Sequence, residues 1–437
     1  LTTGDWTHPL WLRSIKGELI EAGEGVYKLK IKNEKLKINE VRFILTTEIA
    51  SIFKQGEKLR RIHNLVFAPN IETAEKINNE LLNRACNLSS DGRPIIGLSS
   101  KNLLEMLLNI DKKIILIPCH AWTPHFGIYG SASGFDSIKE SFAELSNYIY
   151  GIETGISSDP WMNWQIPELE ARSILSFSDA HSLPKMGREL TVFRINKTLD
   201  KLSYMDIGKA ISYPMRKKSG RDVTGELGVN YTIEFYPEEG KYHYAGHRNC
   251  KVVRSPQQIK EDGNICPVCS RRLTEGVMYR VQQLARLHLP SARADGGQAK
   301  DGSDFQPYNS EFDENGVNWI KDPKNIHPSF VKLVPLNEIV AESMDATVLS
   351  EKVKLKFDEM CSEFGSELST LLKTPLLDIT SKFGEKIAEG VAKVRKGDIF
   401  VDPGFDGEYG KVKIWNEKKP IVNASDVNAE AQLGIKF

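Results

Sequence analysis

Ile174-Leu175-Ser176-Phe177-Ser178-Asp179-Ala180-His181 is an apolar run that ends in an Asp-x-His pair and passes straight into the loop residues Ser182, Leu183 and Pro184. The same pattern recurs at Gly4-Asp5-Trp6-Thr7-His8, at Phe43 to Glu48, at His63 ahead of Asn64-Leu65-Val66-Phe67, and at Ile114 to His120. Where strands gather into a barrel, their ends converge on one face, and reactive groups collect there. The candidate metal ligands are therefore Asp5, His8, Glu48, His63, His120, Asp179 and His181, with Glu48, His120, Asp179 and His181 as the catalytic core. Imidazole and carboxylate together suit Zn, Mn, Fe or Mg. Side chains alternate along a strand, so Asp179 and His181 are expected on one side, sharing a metal pair, with Glu48 as a bridging carboxylate. A lone histidine beside a core strand is ordinarily a semi-buried structural residue. The joint pattern outweighs that reading, because four of nine histidines flank apolar runs. The chemistry it suggests is hydrolysis by clustered cations, which acidify a water and neutralise a leaving oxygen.

The totals set limits. At 437 residues the chain has room for two or three domains. Lys+Arg and Asp+Glu both number 58, so no overall basic charge points to nucleic acid, although local patches still bind phosphate. No apolar run reaches the roughly 18 residues of a membrane span, so no membrane partner is expected. Six cysteines, three of them in a ligand-like cluster, speak against a disulfide framework and for a cytoplasmic protein. Residues 1–237 alternate short β-like runs with amphipathic stretches such as Ile71–Leu82 and Leu103–Ile110, which predicts a parallel α/β architecture. A cysteine-bearing module follows over 238–290. The Gly/Ala/Asp/Ser-rich stretch that opens 291–325 reads as a linker or insertion. Residues 326–437 read as helical and end in a β-hairpin over Ile399–Trp415.

Two further segments carry chemistry. Pro118 to Gly130 surrounds His120 with Trp122, His125, Phe126, Tyr129 and glycine. It reads either as an ordinary loop with buried rings or as a pocket that stacks a base turned out of a duplex. Glu153 stands behind the ligands, and Arg188 is a candidate phosphate contact. His247-x-x-Cys250, fifteen residues, then Cys266-Pro-Val-Cys269 has the spacing of a zinc ribbon. His243 is the alternative first ligand. Arg271 and Arg272, among other arginines around the module, are candidate DNA-backbone contacts. Leu376 to Gly397 partly resembles a helix-hairpin-helix, but only one glycine falls in the turn, and apolar spacing of this kind also serves plain packing.

Gly4-Asp5-Trp6-Thr7-His8-Pro9, Thr47-Glu48, His120-Ala121-Trp122-Thr123-Pro124, Ser178-Asp179-Ala180-His181 with Gly187-Arg188-Glu189, and Cys266-Pro-Val-Cys269 together resemble the endonuclease Q family. Leu333-Val334-Pro335-Leu336, Phe364-Gly365-Ser366-Glu367 and Tyr409-Gly410 extend the likeness to the C-terminal part. The resemblance implies an α/β fold with a distorted (β/α)7 PHP (polymerase and histidinol phosphatase) barrel, followed by a zinc ribbon and a helical C-terminal domain. It implies two or three divalent cations (Zn, Mg or Mn) besides the structural Zn. It further implies hydrolysis 5′ to a deaminated base (uracil, hypoxanthine, xanthine) or an abasic site in DNA. His247 stands where archaeal relatives tend to carry cysteine. The opening His-x-His strand of that fold does not occur in this sequence and is expected upstream of Leu1. Two alternatives remain open: a PHP phosphoesterase for a small phosphate monoester, and a catalytically incomplete zinc-bearing DNA-binding protein.

Overall fold

The computed structural model describes residues 1–30, 41–220, 227–288, 305 and 307–415. Helix α1 (Pro9–Glu18) runs into a hairpin of β1 (Leu19–Gly23) and β2 (Val26–Leu29). The long strands β3 (Leu45–Gln55) and β4 (Lys58–Ala68) follow, then α2 (Ile71–Asn83), β5 (Ile95–Ile96), α3 (Ser100–Ile110) and β6 (Ile115–Pro118). Next come α4 (Ile138–Phe142), β7 (Gly151–Glu153), α5 (Pro160–Trp164), β8 (Ser173–Leu175), β9 (Leu190–Arg194), α6 (Tyr204–Lys218) and β10 (Gly228–Glu234). Strands β11 (Ala245–His247) and β12 (Val252–Arg254) and helices α7 (Pro256–Asp262) and α8 (Val277–His288) make the cysteine module. Strands β13 (Asn309–Phe312), β14 (Asn318–Lys321) and β15 (Ser329–Lys332) precede five helices, α9 (Leu336–Ser343), α10 (Glu351–Phe364), α11 (Glu367–Leu372), α12 (Leu376–Phe383) and α13 (Glu385–Lys396). The hairpin β16 (Phe400–Asp402) and β17 (Lys411–Lys413) ends the described chain.

The sheets are mixed, which corrects the expectation of a parallel array. The first has the order β5-β3-β4-β6, with β3/β4 and β4/β6 antiparallel and β3/β5 parallel. Strands β7 and β8 form a parallel pair. A five-stranded sheet runs β13-β14-β15-β10-β9. The β3–β4 ladder escapes a sequence reading because its outer half, Phe53 to Arg61, is largely polar and looks like a loop. The expected insertion at 291–325 is corrected in part, since Asn309–Phe312 and Asn318–Lys321 are paired strands of that sheet. Residues 291–304, the Gly-, Ala-, Asp- and Ser-rich part of the expected linker, lie outside the described residues.

One face of the first sheet buries Ile49, Ile62 and Val66 against Leu103, Leu107, Ile77 and Leu81 of α2 and α3. These two helices are amphipathic, and each opens on a side-chain cap, Asn70 to the Thr73 N–H and Ser99 to the Asn102 N–H. The opposite face buries Phe67, Ile115 and Ile117 with Leu175 of β8 and Tyr204 and Ile211 of α6. That second layer shares its face of β3 and β4 with Glu48 and His63, which stand within these long strands rather than at the strand ends that the sequence pattern suggested. The C-terminal helices surround a separate core, including Ile339, Val353, Met360, Ile379, Val391 and Val394. In the pair α12–α13 around Gly384, Ile379 and Val391 serve this packing.

Between β7, β8 and β10 sits a buried polar knot. Thr154 Oγ1 donates to Glu234 Oε2 at 3.2 Å and Ser176 Oγ to the same oxygen at 3.1 Å, while the Phe235 N–H donates to Glu189 at 3.2 Å. Burial pushes the Glu234 carboxyl up to about 8, and burial together with the Glu234 charge raises Glu189 well above its ordinary range. A carboxyl whose folded pKa is raised stabilises the fold below its unfolded pKa of 4.5, and that contribution is lost as pH rises towards 8. Glu234→Gln should therefore match wild-type melting at pH 5 and exceed it by about 3–6 °C at pH 8.5. Thermal scans at the two pH values check this, and equal curves at pH 8.5 would contradict it.

Candidate metal centre and zinc-ribbon-like cluster

Strand register builds the centre. Glu48 lies opposite Leu65 and Ala50 opposite His63, so Glu48 and His63 share one face as diagonal neighbours. Strand β6 pairs with the other edge of β4, Asn64 opposite Pro118, and His120 follows two residues beyond. The result is tight: His63 Nδ1 is 2.6 Å from Glu48 Oε1, His120 Nε2 is 3.5 Å from the same oxygen, and the two imidazole nitrogens are 3.1 Å apart. One donor atom from each of the three lies within 4.8 Å of the others. Burial alone would raise the Glu48 carboxyl, but hydrogen bonds from His120 and His63 outweigh it and hold Glu48 well below the usual carboxylate range. Burial lowers His63, whereas contact with Glu48 keeps His120 raised against its burial. An anionic carboxylate between two imidazoles is a donor set suited to a divalent cation.

The remaining candidates surround this group unevenly. Asp179 is raised by burial and then by the negative Glu48, and Asp5 by burial, Glu48 and Asp91. Both thus lie within electrostatic reach of the centre. His181 Nδ1 contacts the Asp179 carbonyl at 2.9 Å and is exposed. The alternation argument for Asp179 and His181 is corrected, because β8 ends at Leu175 and both residues occupy the loop beyond it. His8 stands at the N-cap of α1 with its N–H on the Asp5 carbonyl, outside the tight group. Arg93, which the sequence reading passed over, places its guanidinium 3.4 Å from Glu48. Its only sequence signal is the turn Gly92-Arg93-Pro94 after an acidic residue.

Backbone strain marks the same residues. Asp5 (φ 45°), His120 (φ 28°) and Asp179 (φ 43°) all adopt left-handed conformations, at about 1–3 kcal/mol each. His120 is held there by its surroundings. Its N–H donates to Glu153 Oε2 at 2.9 Å, its Nδ1 contacts Thr123 Oγ1 at 2.9 Å, and Ala121 N–H donates to the Glu153 carbonyl. Glu153 is buried, which pushes its carboxyl up to about 7.

The aromatic loop divides in two. Trp122 and Tyr129 are fully buried, pack against each other with tilted rings 4.8 Å apart, and satisfy their polar atoms on Asn163 (2.7 Å) and Glu168 (2.8 Å). They are core residues, a correction to their expected substrate role. Sequence could not separate them from Phe126, which has the same composition around it. Phe126 (φ 72°) presents its ring to His63 at 4.3 Å, and His125 is exposed. Arg188 lies over the Phe235 ring at 5.2 Å, and Arg272 pairs with Glu275. Arg271 is exposed on the cysteine module. Arg280 spans from α8 to the Tyr129 and Phe135 carbonyls and Asp136, which makes it a docking strut.

The second cluster is His247, Cys250, Cys266 and Cys269, whose donor atoms all lie within 4.8 Å of one another. Hairpin β11–β12 turns at left-handed Lys251 just after Cys250, and left-handed Ser270 follows Cys269. Each ligand pair thus sits on its own tight knuckle. Burial opposes ionisation of Cys266, but the Cys269 N–H and His247 outweigh it and bring the thiol down to about 6. His243 is buried, lowered by desolvation and then influenced by Glu238 and Lys332, and is not part of the cluster. The terminal hairpin region seats on this module through Asp406, which accepts from the Arg248 N–H and Thr274, and through Lys251–Glu408.

Comparisons with known proteins agree with this architecture. The lesion-specific endonuclease PfuEndoQ of Pyrococcus furiosus superimposes with a TM-score of 0.71, covering 98% of this chain and 89% of that one at 24% identity. An endonuclease Q bound to a 27-mer duplex substrate with an abasic lesion at its active site gives 0.71, 98%, 90% and 25%. The resemblance read from the motifs is borne out: the chain has the fold of endonuclease Q. A family model of the MJ0043 C-terminal domain matches residues 335–398. Uncharacterised MJ0043 of Methanocaldococcus jannaschii is 27% identical over 68% of this chain, which spans 32% of that protein's length. Uncharacterised YqxK of Bacillus subtilis is 26% identical over 80% of this chain and 74% of its own length.

Gly155 (φ 59°) packs so closely that an added Cβ would stand 2.5 Å from His120 Cβ. Gly155→Ala should displace His120 and weaken divalent-cation binding about 10-fold or more, with a lower melting temperature. Calorimetric titration with Mn²⁺ checks this, and unchanged affinity would contradict it.

Proposed function

We propose that this chain is a DNA repair endonuclease that hydrolyses the phosphodiester 5′ to a deaminated or abasic nucleotide, using divalent cations at the Glu48–His63–His120 centre. The observation that carries the reading is this carboxylate–imidazole group, on adjacent strands β3 and β4 and the loop after β6, in a fold shared over 98% of the chain with endonuclease Q. We read the four-, two- and five-stranded sheets as parts of a distorted PHP-type barrel, and His247, Cys250, Cys266 and Cys269 as a structural zinc site. The six cysteines, all free, fit a cytoplasmic setting.

A divalent cation held by Glu48, His63 and His120 would act as a Lewis acid on the phosphodiester and lower the pKa of a water. The chain's own groups prepare that site. Glu48, already ionised, supplies the negative oxygen, and the neutral His63 imidazole offers a ring nitrogen. Glu153 fixes the His120 backbone, so the imidazole needs no reorganisation. Asp5, Asp179 and His181 ring the centre and would complete the coordination of further cations, while Arg93 balances the excess negative charge. A small phosphate monoester as substrate would leave the cysteine module and the helical tail without a task.

Incubated with an abasic-site or uracil-containing duplex and Mg²⁺ or Mn²⁺, the full-length protein should nick the damaged strand once, on the 5′ side of the lesion. Glu48→Gln and His120→Ala should each reduce the rate by about 100-fold or more while retaining duplex binding. Turnover of small phosphate esters alone, or binding without cleavage, would contradict the proposal. Metal analysis should find about one tightly held zinc per chain, lost in Cys266→Ser.

A further inference from the structure

Two residues along β4 from His63, at Arg61, opens a cavity of about 670 Å³ whose wall carries the cations Lys58, Arg60, Arg61 and Arg280, with His125, and the acids Asp136, Glu140 and Glu275, the last of which pairs with Arg272. Its position follows from the fold. The loop after Pro124 zips along the outer half of β4: the His63 N–H donates to the Phe126 carbonyl at 2.9 Å, the Arg61 N–H to the Ser133 carbonyl, and Ser133 Oγ to the Arg61 carbonyl. Arg61 and His63 are two residues apart on β4 and so face the same side, about 6–7 Å apart along the strand. Phe126 links the two, its ring 4.3 Å from His63 and 6.0 Å from the Arg61 guanidinium.

The cations of this wall divide by their partners. Arg60 and Arg280 are structural. Arg60 is buried over Phe135 at 4.0 Å and paired with Glu140 at 3.0 Å, with its Nε lacking a hydrogen-bond partner, and Arg280 is paired with Asp136 at 2.6 Å. Lys58 and Arg61 take part in no ion pair among the described residues, and His125 is exposed beside them. The wall thus offers uncommitted positive charge one strand step from the centre, which approximates the spacing of successive phosphates along an extended nucleic-acid strand.

We propose that this cavity is a second phosphate subsite, resting on the nuclease reading above. It holds the phosphate next to the scissile one on the strand being cut, with Lys58 and Arg61 as charged donors and His125 as a hydrogen-bonding wall. Phe126 separates the two phosphates and sets the distance between them. A monoester has no second phosphate to place there, so the subsite selects a continuous strand.

The test uses an abasic-site duplex with single methylphosphonates, which remove one phosphate charge at a time around the scissile bond. In the wild-type protein, neutralising one adjacent position should weaken binding about 3- to 10-fold. Arg61→Ala should cause a similar loss, lower the salt dependence of binding by about one ion, and be insensitive to that same methylphosphonate. Arg61→Lys should restore much of the affinity. If wild-type nicks the duplex but Arg61→Ala binds it with unchanged affinity and salt slope, or if the two losses multiply at every position, the subsite is refuted and the nuclease reading stands. If wild-type neither binds nor nicks the duplex, both fall.

Discussion

The antiparallel register of β3, β4 and β6 is the constraint on which the rest depends. It sets Glu48 diagonal to His63 on one face of a twisted ladder and delivers the end of β6 alongside, so that His120 closes on the same carboxylate. A slip of one residue would turn Glu48 and His63 into the opposite apolar layer, among Ile49, Ile62 and Val66. Burying a carboxylate there without partners would cost several kcal/mol. The two cores on either side of the sheet therefore enforce the register, and the register makes the site.

Part of the chain's backbone strain falls where this geometry must be finished. Asp5, His120 and Asp179 sit in left-handed conformations although none is glycine. The surroundings over-determine at least His120, through the buried Glu153 carboxyl, Thr123 and the space left by Gly155. Behind them Glu189 and Glu234 form a second buried acidic layer, tied to β7 and β8 through Thr154 and Ser176. The ends of β7 and β8 are thus oriented by polar groups in addition to the apolar layer beneath the sheet.

What the sequence revealed depended on how local the signal was. His247, Cys250, Cys266 and Cys269 were legible because knuckle spacing alone brings such ligands together. Glu48, His63 and His120 were legible because each borders an apolar run. The antiparallel pairing of β3 with β4 was not, since the exposed, polar stretch from Phe53 to Arg61 reads as loop. Trp122 and Tyr129 were assigned to substrate because composition cannot tell an aromatic wall from an aromatic core. Their burial follows from long-range partners, Asn163 and Glu168, that no local pattern announces. Arg61 escaped for a similar reason, as its meaning comes from a loop that packs on it from more than sixty residues away.

If Glu48, His63 and His120 work as one unit, they share one divalent cation. Crystals grown with Mn²⁺ and measured at its absorption edge test this directly. An anomalous peak is expected within about 2.0–2.3 Å of a Glu48 oxygen and of the His63 and His120 ring nitrogens. No peak there, with the carboxylate still hydrogen-bonded to both imidazoles, would contradict it.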